Sequence, residues 1–242
     1  LSRSVDGKYI TLAGYATSPG TVAVAFTASA DVRRKILRVA GNRAIDHSTS
    51  LNDAYTGGAF RSAVTADGSA YWLGGSANDA GLDTAGVRYA VHGASASQRL
   101  AEQPENVRTV GIFGNTLYAT AISGNSEGLF RIGNGLPTTG GQTTFPLSGF
   151  GTNQSCNDFV FLGSSTLYVA DDRAVASGGG IQKWTFSGTL WQLQYTLNSG
   201  LTHGLRRLCL VSSQGNPTLV ATTTPVTANL LVKVQDAGPL SA

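Results

Sequence analysis

An all-β fold of short antiparallel strands is predicted by three observations: a composition poor in charge, an apolar–polar alternation of period two, and a repeat of about 50 residues. Only 13% of the 242 residues are charged, whereas 41% are apolar and glycine alone supplies 31. So little Glu, Lys and Arg argues against surface helices, which are usually dressed with them. A mean hydropathy of zero and a net charge of +3 argue against disorder. No apolar run approaches the ~18 residues of a membrane-crossing helix, and no signal-peptide pattern is visible at Leu1.

Each repeat opens with a hairpin: an apolar run, a tight turn, then a β-rich run. The first four copies cover residues 4–12, 63–73, 110–118 and 159–169, and a fifth, 208–220, is longer at its turn. Asp6-Gly7, Asp67-Gly68 and Gly114-Asn115 supply the central turn residues, where positive φ is needed. A third strand follows at 36–39, 86–91, 128–132, 180–186 and 230–234. Each copy carries one Lys or Arg among apolar neighbours (Arg38, Arg88, Arg131, Lys183, Lys233), as expected of a strand with one solvated face. The fourth strand is plainest at 190–197, with weaker equivalents at 44–51 and 143–147.

Four short strands per repeat predict a β-propeller, in which neighbouring blades supply one another's core. The approximate blades are 1–58, 59–106, 107–154, 155–203 and 204–242, taken as one domain. A β-sandwich is the alternative, and the five-fold recurrence argues against it. The first repeat begins almost on its innermost strand and the fifth stops near Asp236 without an outermost one. With no Met anywhere, the expectation is about five blades belonging to a six- or seven-bladed ring.

The runs 1–15, 135–139, 167–172 and 179–184 resemble a group of secreted β-propeller repeat proteins of bacteria and algae. The resemblance spans most of the chain and rests on turns and strands. It implies a secreted propeller whose full ring is longer than this sequence, and it implies no particular activity.

Propeller ligands usually bind on loops at one end of the blades. The loops joining second to third strands hold Asp31, Asp79, Asp83, Glu127, Asp171 and Asp172, with Arg173 beside the last pair. We take Asp79, Asp83, Glu127, Asp171, Asp172 and Arg173 as the ligand-binding candidates. Glycoside hydrolysis needs two carboxyl groups ~5–10 Å apart. Adjacent Asp171 and Asp172 at a strand end point to opposite sides, so a catalytic pair would need two blades, for example Asp171 with Asp79. The plainer reading is that these acids cap turns. Residues 78–83 could offer oxygens to calcium but lack the spacing and closing Glu of an EF-hand; no cofactor is expected. His47, His92 and His203 have no partner at metal-ligand spacing.

Cys156 and Cys209 lie about one repeat apart, open to a structural disulfide or to two thiols, with the bridge slightly favoured. Asn153-Gln154-Ser155 is a glycosylation sequon that matters only in a secretory setting. Arg33, Arg34, Lys35, Arg38 and Arg43 form the one basic cluster. Without interleaved aromatics it does not suggest nucleic acid; it reads as a solvated strand edge, or else as a contact for an acidic polysaccharide. Trp72, Trp184 and Trp191 fall within strands and are expected in the core.

The resulting expectation is a non-catalytic extracellular or cell-surface module. It would bind carbohydrate or an extracellular protein, or assemble with itself, with no nucleic-acid partner and no membrane span. An extracellular polysaccharide hydrolase or lyase using loop carboxylates is the alternative.

Overall fold

The computed structural model describes residues 1–123, 126–151, 154–212 and 216–238, apart from the side chains of Leu82, Ser123 and Ser212. Five antiparallel sheets follow one another along the chain, and no α-helix occurs among these residues. The first sheet contains β1 (Ser2–Arg3), β2 (Tyr9–Tyr15), β3 (Arg34–Ala40), β4 (Ile45–Asp46) and β5 (Ser50–Leu51), with β4 and β5 both pairing β3. The second contains β6 (Phe60–Val64), β7 (Ala70–Gly75), β8 (Gly86–Val91) and β9 (Gln98–Arg99). The third contains β10 (Val107–Phe113), β11 (Thr116–Ser123), β12 (Ser126–Ile132) and β13 (Thr144–Pro146). The fourth contains β14 (Cys156–Phe161), β15 (Thr166–Asp171), β16 (Gly180–Phe186) and β17 (Trp191–Leu197). The fifth contains β18 (Leu205–Ser212), β19 (Thr218–Thr223) and β20 (Leu231–Gln235). This is a five-bladed β-propeller fold. The fourth strand of the second sheet, β9, had no counterpart in the sequence reading; at two residues it is too short to alternate.

The turns form by local chemistry. Asp6 Oδ1 accepts the Lys8 N–H at 3.1 Å, and Asp67 Oδ1 accepts the Ser69 N–H at 2.9 Å. Gly7 and Gly68 beside them hold φ of 75° and 84°, conformations that cost a residue with a Cβ.

The chain forms two compact units, Leu1–Ala119 with Phe130–Phe145, and Thr120–Leu129 with Pro146–Ala242. In the first, Ile36, Leu51, Tyr55, Phe60, Tyr71 and Leu73 make a buried cluster. In the second, Tyr168, Ile181, Leu197, Leu205, Leu208 and Leu219 do so. Each such side chain stabilises the fold by about 2 kcal/mol relative to exposure. Trp72, Trp184 and Trp191 are buried, and Phe150 stacks on Trp184 with ring centroids 4.0 Å apart.

One polar device recurs between neighbouring sheets. Ser62 Oγ on β6 accepts the Val110 N–H of β10 at 3.0 Å, and Asp158 Oδ2 on β14 accepts the Leu208 N–H of β18 at 3.1 Å. Both acceptors follow a register shift at the start of their strand. Such a bulge adds a residue and re-aims the next side chain.

Two expectations are corrected here. The Cys156–Cys209 bridge does not form: both are free thiols, Cys156 buried at the start of β14 and Cys209 exposed on β18. The basic cluster is not a uniformly solvated edge either. Arg34 is fully buried, and its guanidinium donates to the carbonyl oxygens of Val32, Thr27 and Tyr55 at 2.5, 2.7 and 2.6 Å.

Candidate functional site

The second unit holds a cavity of about 490 Å³ lined by Ile122, Glu127, Gln154, Ser155 and Arg173. Three segments build it: the ends of β11 and β12, the connection entering β14, and the loop from β15 to β16. Asp171 ends β15, fully buried. The chain turns there because the Asp171 carboxylate accepts the Arg173 N–H at 3.0 Å, an Asx turn of the kind expected of Asp after a strand.

The same carboxylate fixes the Arg173 side chain. Arg173 Nε donates to Oδ1 at 2.9 Å and Nη2 to Oδ2 at 2.8 Å, a two-pronged geometry stronger than a single ion pair. These bonds from Asp171 raise the guanidinium's pKa, against the opposing effect of burial. Oδ2 also accepts Gln182 Nε2 at 3.0 Å, and Gln182 in turn accepts the Trp184 indole N–H at 3.1 Å. Arg173 is thus locked through Asp171 and Gln182 onto the core.

Asp172 turns the other way. Its Oδ1 accepts Ser155 Oγ at 2.5 Å, and its Oδ2 lies 3.6 Å from Arg206 Nε. Glycine completes the frame, because a Cβ at Gly179 or at Gly204 would overlap the Arg173 carbonyl oxygen. At Cys156, next in sequence to Ser155, burial first and the Asp171 charge second push the thiol's pKa up, which disfavours the reactive thiolate.

The structure therefore brings Glu127, Asp171, Asp172 and Arg173 into one neighbourhood. Asp79 and Asp83 belong to the first unit. Asp79 Oδ2 accepts the Thr84 N–H at 3.3 Å, and Asp83 is mostly exposed with its Oδ1 3.5 Å from Arg99 Nη1. Both stand around a short 3-10 turn, Ala80–Leu82. No group of three or more His, Cys, Asp or Glu gathers at metal-binding reach among the described residues. Asn153, the sequon residue, lies outside them.

Sequence reasoning missed Ile122, Gln154, Ser155, Gln182 and Arg206. Gln182 left a trace as a polar residue beside Lys183 in an otherwise alternating strand, and Gln154 and Ser155 were legible only as part of the sequon at Asn153. A larger cavity in the first unit, about 590 Å³, runs along Gln98, Gln103 and Gly140 to Thr144 at the outermost strands. Its Arg99 pairs with Asp83 and Glu105 at 3.5 and 3.8 Å, neither of them a fully buried carboxylate like Asp171, so the smaller cavity is the better candidate.

The fold and this cavity define the protein by class, a β-propeller with a polar pocket at the loop end of its blades. No protein-family model matches the chain, and no curated protein matches its sequence. Among solved structures it is similar to the crystal structure of a putative 6-phosphogluconolactonase from Bacteroides uniformis. The TM-score is 0.50 at 10% identity, over 98% of this chain and 71% of that one. A likeness this distant carries the fold alone.

Proposed function

We propose that this chain is a non-catalytic carbohydrate-binding propeller, acting outside the cell or at its surface, with the Glu127–Gln154–Arg173 cavity as its ligand site. The observation that carries the reading is the Arg173–Asp171 pair. It holds the cavity wall rigid while filling the oxygens of the buried carboxylate. A pre-set polar wall with one apolar residue, Ile122, suits a hydroxyl-rich ligand, because side chains already fixed lose little freedom on binding.

The hydrolase reading is less well supported. Acid–base cleavage requires two carboxyl groups flanking one bond. Among the described residues that line the cavity, Glu127 is the one carboxylate. The extracellular setting is supported by the low-charge composition and by the resemblance to secreted propellers.

A glycan-array screen followed by calorimetry on the hits, with an assay for released reducing ends, tests this. The expected result is saccharide binding that Gln154→Ala weakens, with no cleavage. Release of reducing ends would overturn the non-catalytic reading, and failure to bind any saccharide would overturn the carbohydrate reading.

A further inference from the structure

The charges around the cavity do not cancel. The Arg173 guanidinium is committed to Asp171 through two bonds, and Arg206 stands against Asp172. Glu127 lines the same cavity as Arg173, but the two arginines pair with Asp171 and Asp172, and no arginine or lysine among the described residues forms an ion pair with Glu127. A second acceptor stands beside it: Gln154 Oε1 is buried and takes no hydrogen bond. A buried acceptor left without a donor costs about 1–3 kcal/mol, so a ligand donor that draws the Gln154 amide round to face the cavity recovers that loss. Ser155 Oγ has already given its hydrogen to Asp172 and can only accept from a ligand. Among the described residues the wall thus offers three side-chain acceptors, one of them charged.

We infer that the ligand is a cationic, donor-rich saccharide: a 2-amino-2-deoxy sugar whose ammonium group meets Glu127 and whose hydroxyls or ammonium hydrogens meet Gln154 Oε1 and Ser155 Oγ. This rests on the cavity being a ligand site. It goes beyond that reading by fixing the sign and hydrogen-bonding character of the ligand. An acidic sugar would set its carboxylate against Glu127 and leave Gln154 Oε1 without a donor. A neutral sugar would satisfy the hydrogen bonds and forgo the charge.

Calorimetry on the full chain at about pH 6, where a sugar amine is protonated, compares three β-1,4-linked tetramers: glucosamine, N-acetylglucosamine and glucose. The glucosamine tetramer is expected to bind roughly tenfold more tightly than the other two, as one charge-assisted hydrogen bond allows. Glu127→Gln should abolish that preference, bringing the glucosamine tetramer's affinity down to that of the glucose tetramer measured on the same variant. Thermal melting checks that the variant is folded, and added salt should weaken the glucosamine complex alone. Equal affinity for glucose and glucosamine, or a preference that survives Glu127→Gln, overturns the inference and leaves the cavity a saccharide site. Binding of none of the three overturns the inference and the site reading together.

Discussion

Lys183 Nζ lies 2.7 Å from Asp236 Oδ2, tying the third strand of the fourth sheet to the residue that follows the last strand of the fifth. Tyr168 and Tyr195 donate their phenolic hydrogens to the two oxygens of the same carboxylate, at 2.5 and 2.6 Å. The Lys183 ammonium also lies over both tyrosine rings. The carboxylate is almost wholly buried, so the cluster works as a clasp between neighbouring sheets rather than a surface ion pair.

The clasp should make the protein acid-sensitive in a defined window. Burial pushes the Asp236 carboxyl up, but the hydrogen bonds from Lys183, Tyr168 and Tyr195 together outweigh it and hold the pKa at about 2, below the ordinary 3.8. Its contribution is therefore fully present above about pH 4 and lost as pH falls through about 2. That is worth about 2 kcal/mol at neutral pH. Urea unfolding between these limits should show the loss. Asp236→Asn should be destabilised by a similar amount at neutral pH and flatten the acid limb; an unchanged limb would assign the sensitivity to another carboxylate.

The two thiols should differ in reactivity. Cys209 is exposed, whereas Cys156 is buried with its pKa raised by burial and by Asp171. A chromogenic disulfide reagent should therefore modify Cys209 promptly in the native protein and reach Cys156 only on unfolding. Lack of any prompt reaction would contradict the free, exposed Cys209.

Sequence reading succeeds wherever the determinants are local. The turn at Asp67-Gly68 is dictated by a carboxylate reaching the N–H two residues on and by a glycine at positive φ, all within three residues. It fails where partners are distant. Arg88 and Lys183 each read as the solvated residue of an alternating strand. Instead, Arg88 is buried, donating to Ser97 Oγ at 2.7 Å and to the Asp83 carbonyl at 2.8 Å. Lys183 is committed to Asp236, an acid that follows the last strand of the next sheet. Alternation shows which residues share a face but not whether another sheet covers it. The candidate site divides the same way. Asp171, Asp172 and Arg173 were legible as a polar loop end, while Gln154 and Ser155 enter from a connection whose one pattern, the sequon at Asn153, does not point to a ligand cavity.

Arg34 should be among the most sensitive positions in the first unit. Its guanidinium holds the carbonyl oxygens of Thr27, Val32 and Tyr55 and lies over the Tyr15 ring at 5.1 Å. Arg34→Met would strip one donor from each of these carbonyls, leaving Thr27 and Tyr55 only the Gly57 and Gly58 N–H groups, at a cost of about 3 kcal/mol. Arg34→Lys should recover little, because a single ammonium cannot span the fork. Thermal melting of the two variants is the measurement. A lysine variant as stable as the parent would show that charge alone, not the forked geometry, holds this loop.

Gly204 offers the sharpest separation of scaffold from site. It lies in the connection between β17 and β18 and packs its bare Cα against the Asp172–Arg173 backbone. A Cβ there would overlap the Arg173 carbonyl oxygen and crowd the Asp172 carbonyl group. Backbone cannot yield as a flexible side chain would, so Gly204→Ala should push the β15–β16 loop outward and cost about 1–3 kcal/mol. The displaced Arg173 would no longer meet Asp171 squarely, and affinity for the proposed saccharide ligand should fall together with stability. Gly188 is the control: unlike Gly204 its φ is positive, at 97°, and a Cβ there meets nothing within 4 Å. Gly188→Ala should therefore lose about 1 kcal/mol from backbone strain alone and keep its ligand affinity. Equal losses of affinity in both variants would show that the binding site does not depend on how the Asp172–Arg173 segment is clamped.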